Sequence, residues 1–311
     1  MSTLGQMFGA GQVETFMGVP RCRDLSRLKA KVALMGADCA TPYRSAGAYC
    51  TGGAAAIRAA SAEYAASLGH VNFDLGGVGW AEDDVWDAGD LEQDAEDAAG
   101  NRARIFGAVS QCLDRGALPV LLGGDDSVTI PALEAFGARG TYTIVQVDAH
   151  IDWRDEVDGE RLGLSSVMRR ASEMAHIGRI VQVGQRGIGS ARPGDVAAAR
   201  DWGVEFVPGG EVARDGVARA VDLVPGRGDL ILCFDFDALD PSIMPAVIAR
   251  TAGGLRYWQA LELIAGVAAK ARIRGAIFTE FMASRDVDGL GAATAAQLIM
   301  STLGLLCRQP R

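Results

Sequence analysis

Six apolar runs divide the chain, each of a length that suits a strand better than a helix. They are KVALMGA (31–37), PVLLGG (119–124), YTIVQVDAH (142–150), RIVQVGQRG (179–187), DLILCFDFD (229–237) and GAIFTEFM (275–282). Their apolar residues are nearly continuous instead of alternating with polar ones, the pattern of strands covered on both faces. Alanine-rich helical stretches lie between them. GGAAAIRAASAEYAASLG (52–69) is one, and YWQALELIAGVAAKAR places Tyr257, Leu261, Ile264, Ala265 and Ala268 along a single helical face. Strand–helix alternation of this kind predicts an α/β fold, a parallel sheet covered by helices. The stretch AEDDVWDAGDLEQDAED (81–97) carries nine acids and no apolar run, so it is expected to be a solvated loop leading into a helix.

Three of the predicted strands end in acids. PVLLGG runs into Asp125 and Asp126, TIVQV into Asp148, His150 and Asp152, and LILCF into Asp235 and Asp237, with Asp240 beyond. Parallel topology sets such clusters along the edge formed by the strands' carboxyl ends, where ligands usually bind. If the chain stays extended there, Asp148, His150 and Asp152 share one face, as do Asp235 and Asp237. A lone D-x-D pair signifies little, because acids after a strand commonly cap the next helix or hold a turn. Five converging carboxylates are another matter. Two of them about 4 Å apart repel by roughly 4 kcal/mol at an effective dielectric near 20, and a fold is stable by only about 5–15 kcal/mol. Asp126, Asp148, Asp152, Asp235 and Asp237 must therefore stand apart, hold protons or hold metal, and two divalent ions would nearly balance their charge. Gly123 and Gly124 would let the backbone turn closely beneath the site, with Asp126 facing the ions and Asp125 holding the turn.

Composition narrows the partners. The chain has 311 residues, 49% apolar and 22% charged, with a formal net charge of −9. That acidity argues against nucleic acid and anionic membranes and favours a small cationic ligand. No long apolar leader opens the sequence, and no uninterrupted apolar stretch approaches the roughly 18 residues of a membrane helix. Six scattered cysteines (Cys22, Cys39, Cys50, Cys112, Cys233 and Cys307) form no C-x-x-C pair, and are expected to be reduced, mostly buried thiols of a cytoplasmic protein.

GADCATPYRSAGAYCTGGAAAIR (36–58), LGGDDS, VDAHID, FDFDALDPS, AGGLRYWQ (252–259) and FTEFMASRDVDGLGAATAAQL follow one another in an order and spacing that resemble the ureohydrolases, the arginase and agmatinase family. The resemblance runs along most of the sequence. It implies one three-layer α/β/α domain over residues 1–311 with a central, mostly parallel sheet. It implies an agmatinase-like hydrolase that cleaves a C–N bond of a guanidinium compound to give urea and an amine. Two divalent ions are implied, manganese foremost and nickel as the alternative. Asp148 and Asp235 would bridge them, His150 and Asp237 would complete one, and Asp126 and Asp152 the other. Asp152 would also aim the attacking water, and Glu280, from FTEF, would pair with the substrate guanidinium. Homo-trimers or hexamers are the assembly implied.

Two positions depart from the family pattern. Asp126 stands where the family has a histidine ligand, which makes the donor set oxygen-rich and tilts the expectation toward manganese. Ser165, in GERLGLSSVMRR, stands where arginases and agmatinases carry a proton-shuttle histidine. Of the three histidines, His70, His150 and His176, only His176 offers a substitute, and a surface or capping role suits it better. These losses motivate a rival, a non-catalytic or metal-poor subunit of a hetero-oligomer with a related chain. A dinucleotide site on VGQRGIG (183–189) is a weaker rival, since its spacing is not G-x-G-x-x-G. Trp153, Asp155 and Glu156, with the charged loop 154–164, are candidates for contact with the far end of a substrate.

Overall fold

The computed structural model describes residues 13–189 and 191–310. Its strands are β1 (Val32–Gly36), β2 (Val71–Asn72), β3 (Gly77–Val78), β4 (Val85–Asp90), β5 (Leu118–Leu122), β6 (Tyr142–Val147), β7 (Ile177–Val183), β8 (Glu205–Val207), β9 (Asp229–Asp235) and β10 (Arg272–Thr279). The helices are α1 (Gly53–Ser61), α2 (Ala98–Asp114), α3 (Thr129–Glu134), α4 (Val167–Ser172), α5 (Pro193–Trp202), α6 (Gly209–Asp215), α7 (Ala218–Leu223), α8 (Tyr257–Lys270) and α9 (Leu290–Arg308). One sheet of eight strands runs β4-β1-β5-β10-β9-β6-β7-β8, and every neighbouring pair in it is parallel. The hairpin β2–β3 lies apart from it.

Each central strand sends alternate side chains to opposite faces, which explains why the runs are apolar throughout. Val32, Leu34, Val145, Val147, Leu230, Leu232 and Phe234 join one core with α1, α8 and α9. Ala33, Met35, Leu121, Ile144, Ile231 and Cys233 join a second core with α2, α3 and α4. On α8 the buried stripe is Ala260, Leu261, Leu263, Ile264 and Val267, with the expected Tyr257 and Ala268 at its margin. Helix α9 is long and apolar enough to cross a membrane, but 78% of its apolar window is buried inside the fold, so it is the core helix of this layer.

All six expected strands are present, and two more extend the sheet at its edges. The first of these, β4, corrects the expectation of a solvated loop at 81–97. Val85, Asp87 and Gly89 point inward in the pattern of an edge strand, and Asp87 is fully buried. It is buried because it is paired. Arg58 Nε and Nη2 donate to its two carboxylate oxygens at 2.8 and 3.1 Å, and the amides of Phe16 and Gly89 donate to it at 2.8 Å each. The helix that was expected next does begin, at Ala98, capped by Asp97. The second addition, β8, is three residues long and too short to show as a run.

Under the carboxyl edge of the sheet, Phe234, Phe236, Phe278 and Phe281 pack together with ring centroids 5.7–6.1 Å apart. Such pairs contribute about 0.5–1.5 kcal/mol each beyond their burial. They tie the end of β9 to the end of β10, and three of the four, Phe234, Phe236 and Phe281, are neighbours in sequence of Asp235, Asp237 or Glu280.

Breaking a buried ion pair leaves a charge without a partner. Asp87→Ala is therefore expected to lower stability by about 3–5 kcal/mol, read from denaturant unfolding. A loss under about 1 kcal/mol would contradict the role given to this pair.

Candidate metal centre

Strand β5 ends in two glycines that hold left-handed backbone, φ 77° at Gly123 and 84° at Gly124. A Cβ on Gly123 would lie 2.7 Å from the Ala54 amide nitrogen, and one on Gly124 would meet the Ala37 carbonyl and, at 2.8 Å, Val128. Only glycine allows the chain to turn this close to its neighbours. Asp125 then accepts from the amide (3.0 Å) and hydroxyl of Ser127, which closes the turn. Asp126 points the other way, with Oδ1 held by the hydroxyls of Thr129 at 2.8 Å and Thr279 at 3.0 Å.

The 148–152 segment reaches the same place by a different route from the one expected. Strand β6 stops at Val147, so Asp148, His150 and Asp152 do not alternate along an extended segment. Instead Asp152 takes left-handed backbone, φ 42°, which turns its carboxylate back beside Asp148. A non-glycine residue in that conformation carries strain of order 1–3 kcal/mol. The turn is braced because the Asp152 carbonyl accepts from Met168 and Arg169, at the start of α4, at 3.1 and 3.2 Å. From β9, Asp235 accepts from the Asp237 amide at 2.7 Å, and Asp237 accepts from the Ala149 amide at 3.1 Å.

The result is two overlapping triads. Asp148, His150 and Asp237 each offer one ligand atom within 4.8 Å of the others, and so do Asp126, Asp148 and Asp152. Asp148 belongs to both. Asp235 is in neither triad, although Asp237, Asp148, Glu280 and Asp126 all act on it electrostatically. None of the five aspartates, nor Glu280, is more than 5% exposed. The acids do not stand apart.

Their electrostatics follow from burial. Desolvation, then the neighbouring Asp152, holds the Asp126 carboxyl well above the usual range. Desolvation is again the first cause for Asp152, followed by Asp148, and for Asp235, followed by Asp237. Asp148, buried beside Asp237 and relieved by hydrogen bonding, is raised to about 6. Burial opposes the charge of His150, but hydrogen bonds to Asp148 and Asp237 outweigh it and push the imidazole up to about 12. Its Nδ1 lies 3.3 Å from Asp148 Oδ1 and 2.9 Å from Asp237 Oδ2. Protons and divalent cations therefore compete for the same atoms.

Glu280 follows β10 and also holds left-handed backbone, φ 67°. Its amide donates to the Gly124 carbonyl at 2.7 Å, and its Oε1 accepts from the Asp126 amide at 2.9 Å. The hydroxyl of half-buried Tyr49 lies 2.7 and 2.8 Å from its two oxygens. Desolvation, then Asp125, raises Glu280 well above the ordinary carboxylate range. Tyr49, Thr129 and Thr279 escaped the sequence reading: Tyr49 and Thr279 lie within the stretches GADCATPYRSAGAYCTGGAAAIR and FTEFMASRDVDGLGAATAAQL, but nothing in those stretches singles them out.

Other expected residues are placed elsewhere. Trp153 is buried against Trp202, with centroids 6.3 Å apart, and Asp155 pairs with Arg161 and Arg170 at 3.0 and 2.7 Å. Both serve packing and ion pairing, while Glu156 is exposed. Ser165 is half-buried, its amide 3.3 Å from the Tyr43 hydroxyl and its carbonyl 3.0 Å from the Arg154 amide. His176 places Nε2 2.9 Å from the Leu133 carbonyl, which is a structural role, and His70 is exposed. The VGQRGIG loop is a clamp. Arg186 donates to the carbonyls of Gly184, Asp237, Ala238, Leu239, Thr251 and Ala252, so it fastens the backbone beside Asp237. All six cysteines are free and buried.

Comparison with known proteins agrees with this geometry. The model of the arginase family matches residues 30–304. The chain belongs to the arginase family. The mitochondrial agmatinase of Gallus gallus is 31% identical over 228 residues, 71% of this chain and 66% of that protein. The guanidinopropionase of Pseudomonas aeruginosa is 33% identical over 231 residues, 71% of each. The structure of proclavaminate amidino hydrolase from Streptomyces clavuligerus aligns with a TM-score of 0.84 at 26% identity, covering 96% of this chain and 98% of that one. The three-layer arrangement is thus the arginase fold. Arginase-family membership implies a binuclear site for divalent metal, and two ligand triads sharing one carboxylate fit that requirement.

A pH dependence follows. Asp148 titrates at about 6 in the fold against 3.8 ordinarily, so the folded state binds more protons than the unfolded chain between those values. The metal-free protein must then lose stability as pH rises through that interval. The raised carboxyls of Asp126, Asp152, Asp235 and Glu280 extend the loss to higher pH, and so does His150 above its ordinary 6.5. Melting temperatures of chelator-treated protein between about pH 4 and 8 are expected to fall with pH, with divalent metal restoring most at the alkaline end. A melting temperature that climbs across this range without metal would contradict the shifts.

Proposed function

We propose that this chain hydrolyses a guanidine compound at the acid cluster, releasing urea or a substituted urea and an amine. The observation that carries the proposal is a shared carboxylate, Asp148, between two ligand triads, with the buried Glu280 beside them. In this reading Asp126, Asp148, His150, Asp152, Asp235 and Asp237 would hold two ions, with His150 and Asp237 on one side of Asp148 and Asp126 and Asp152 on the other. The division of the triads supports it. Five carboxylates and one imidazole make a donor set suited to manganese, with nickel as the alternative. Divalent ions held there would supply a water nucleophile activated at neutral pH.

The chain's own residues do the rest. Asp152 accepts a hydrogen bond from the nucleophile and aims it. It can pass the proton that it receives from the nucleophile on to the departing nitrogen. A guanidinium remains cationic in such a site, and Glu280 receives it through charge-assisted hydrogen bonds. Tyr49 already donates to Glu280, so the hydroxyl fixes the carboxylate plane before substrate arrives. Thr129 and Thr279 occupy one oxygen of Asp126 and leave the other for a ligand's work. An aspartate held by two hydroxyls at this position is a built feature, which favours catalysis over the rival of a metal-poor subunit.

Urea release from a panel of agmatine, guanidinobutyrate, guanidinopropionate and arginine, in manganese- and nickel-loaded protein, tests the proposal. Glu280→Gln is expected to lower kcat/KM for the best substrate by about 10- to 200-fold, the worth of a charge-assisted bond of roughly 1.5–3 kcal/mol. Absence of product from every guanidine in metal-loaded protein would contradict it and point to a non-catalytic subunit.

A further inference from the structure

Two glutamines interrupt apolar strands directly behind the acids. Gln146 on β6 and Gln182 on β7 are register partners, and both are buried. Their neighbours on the same face, Ile144 and Ile180, are core residues. Gln146 Nε2 donates to Asp148 Oδ2 at 2.7 Å and to Asp152 Oδ2 at 2.8 Å, which uses both of its protons. Its Oε1 accepts from Gln182 Nε2, and the same Gln182 nitrogen donates to the Ile151 carbonyl at 2.9 Å. Gln182 Oε1 has no partner among the described residues. An orphaned buried acceptor costs about 1–3 kcal/mol, so this amide is held for its donors.

We infer that Gln146 and Gln182 form an amide relay that positions Asp148 and Asp152 for metal. Gln146 is the positioning residue, and Gln182 sets which way its amide faces. The orientation matters. Turned over, the Gln146 amide would set its oxygen against two carboxylates and its NH2 against the NH2 of Gln182. The Gln182 donor excludes that state, and the bond to Ile151 ties the backbone between His150 and Asp152 to the same unit. A neutral donor pair thus joins the carboxylate common to both triads to the acid on strained backbone, without adding a charge that would repel a cation. The inference rests on the metal centre proposed above. Partners behind metal ligands are typically worth 10–100-fold in metal affinity.

The test is calorimetric titration of chelator-treated protein with manganese. Gln146→Leu removes the donors at nearly constant volume and is expected to weaken the weaker ion by about 10- to 100-fold, with circular dichroism unchanged. Gln182→Leu, which touches neither acid, should weaken it less and keeps the test open if the first variant fails to fold. In the Gln146→Leu background, Gln182→Leu should add less to the loss than it causes alone, because only its bond to the Ile151 carbonyl is then left to lose. Independent packing roles would instead add in full. Wild type binding two ions with Gln146→Leu equal to it would overturn the relay and leave the metal centre standing. Wild type binding no ion would overturn the metal centre, and the relay with it.

Discussion

Everything at the carboxyl edge of this sheet answers to the repulsion among acids that water cannot screen. Asp126, Asp148, Asp152, Asp235, Asp237 and Glu280 are buried within one region, with Asp125 behind them. Two such carboxylates, both ionised and about 4 Å apart, would oppose folding by about 4 kcal/mol at an effective dielectric near 20, on the scale of a whole domain's stability. Protons relieve that repulsion in acid, and divalent cations relieve it where protons leave. The arginase fold supplies the place, and the acids dictate what must fill it.

The rest of the site keeps the acids from relaxing away from one another. Neutral donors reach nearly every carboxylate: hydroxyls of Thr129 and Thr279 on Asp126, the Gln146 amide on Asp148 and Asp152, backbone amides on Asp235 and Asp237, and Tyr49 on Glu280. Neutral groups orient without competing for charge. Strained backbone at Asp152 and Glu280 is tolerated because the segments on either side are fixed, by α4 in one case and by the aromatic cluster in the other. Arg186 does the same for the backbone beside Asp237 by binding carbonyls alone.

Much of this was legible in the sequence, and the limits have physical causes. Strands buried on both faces leave unbroken apolar runs, so all six central strands could be read, with the acids at their ends. β4 could not, because Asp87 is buried only through its pairing with Arg58, a partner 29 residues away. The turn at Gly123 and Gly124 was readable since glycine advertises left-handed backbone. The same conformation at Asp152 and Glu280 was not, since an acid adopts it far less often than glycine and so does not signal it. Tyr49, Thr129 and Thr279 are invisible for a related reason. Their role exists only where separate strand ends meet.

If cations replace protons among these acids, uptake of metal must expel protons. Titrating manganese into chelator-treated protein near pH 7, in two buffers of different ionisation enthalpy, counts both ions bound and protons released. Two ions per chain with net proton release is the expected result. Ions taken up without proton release, or no uptake at all, would mean that these acids are neutralised in some other way.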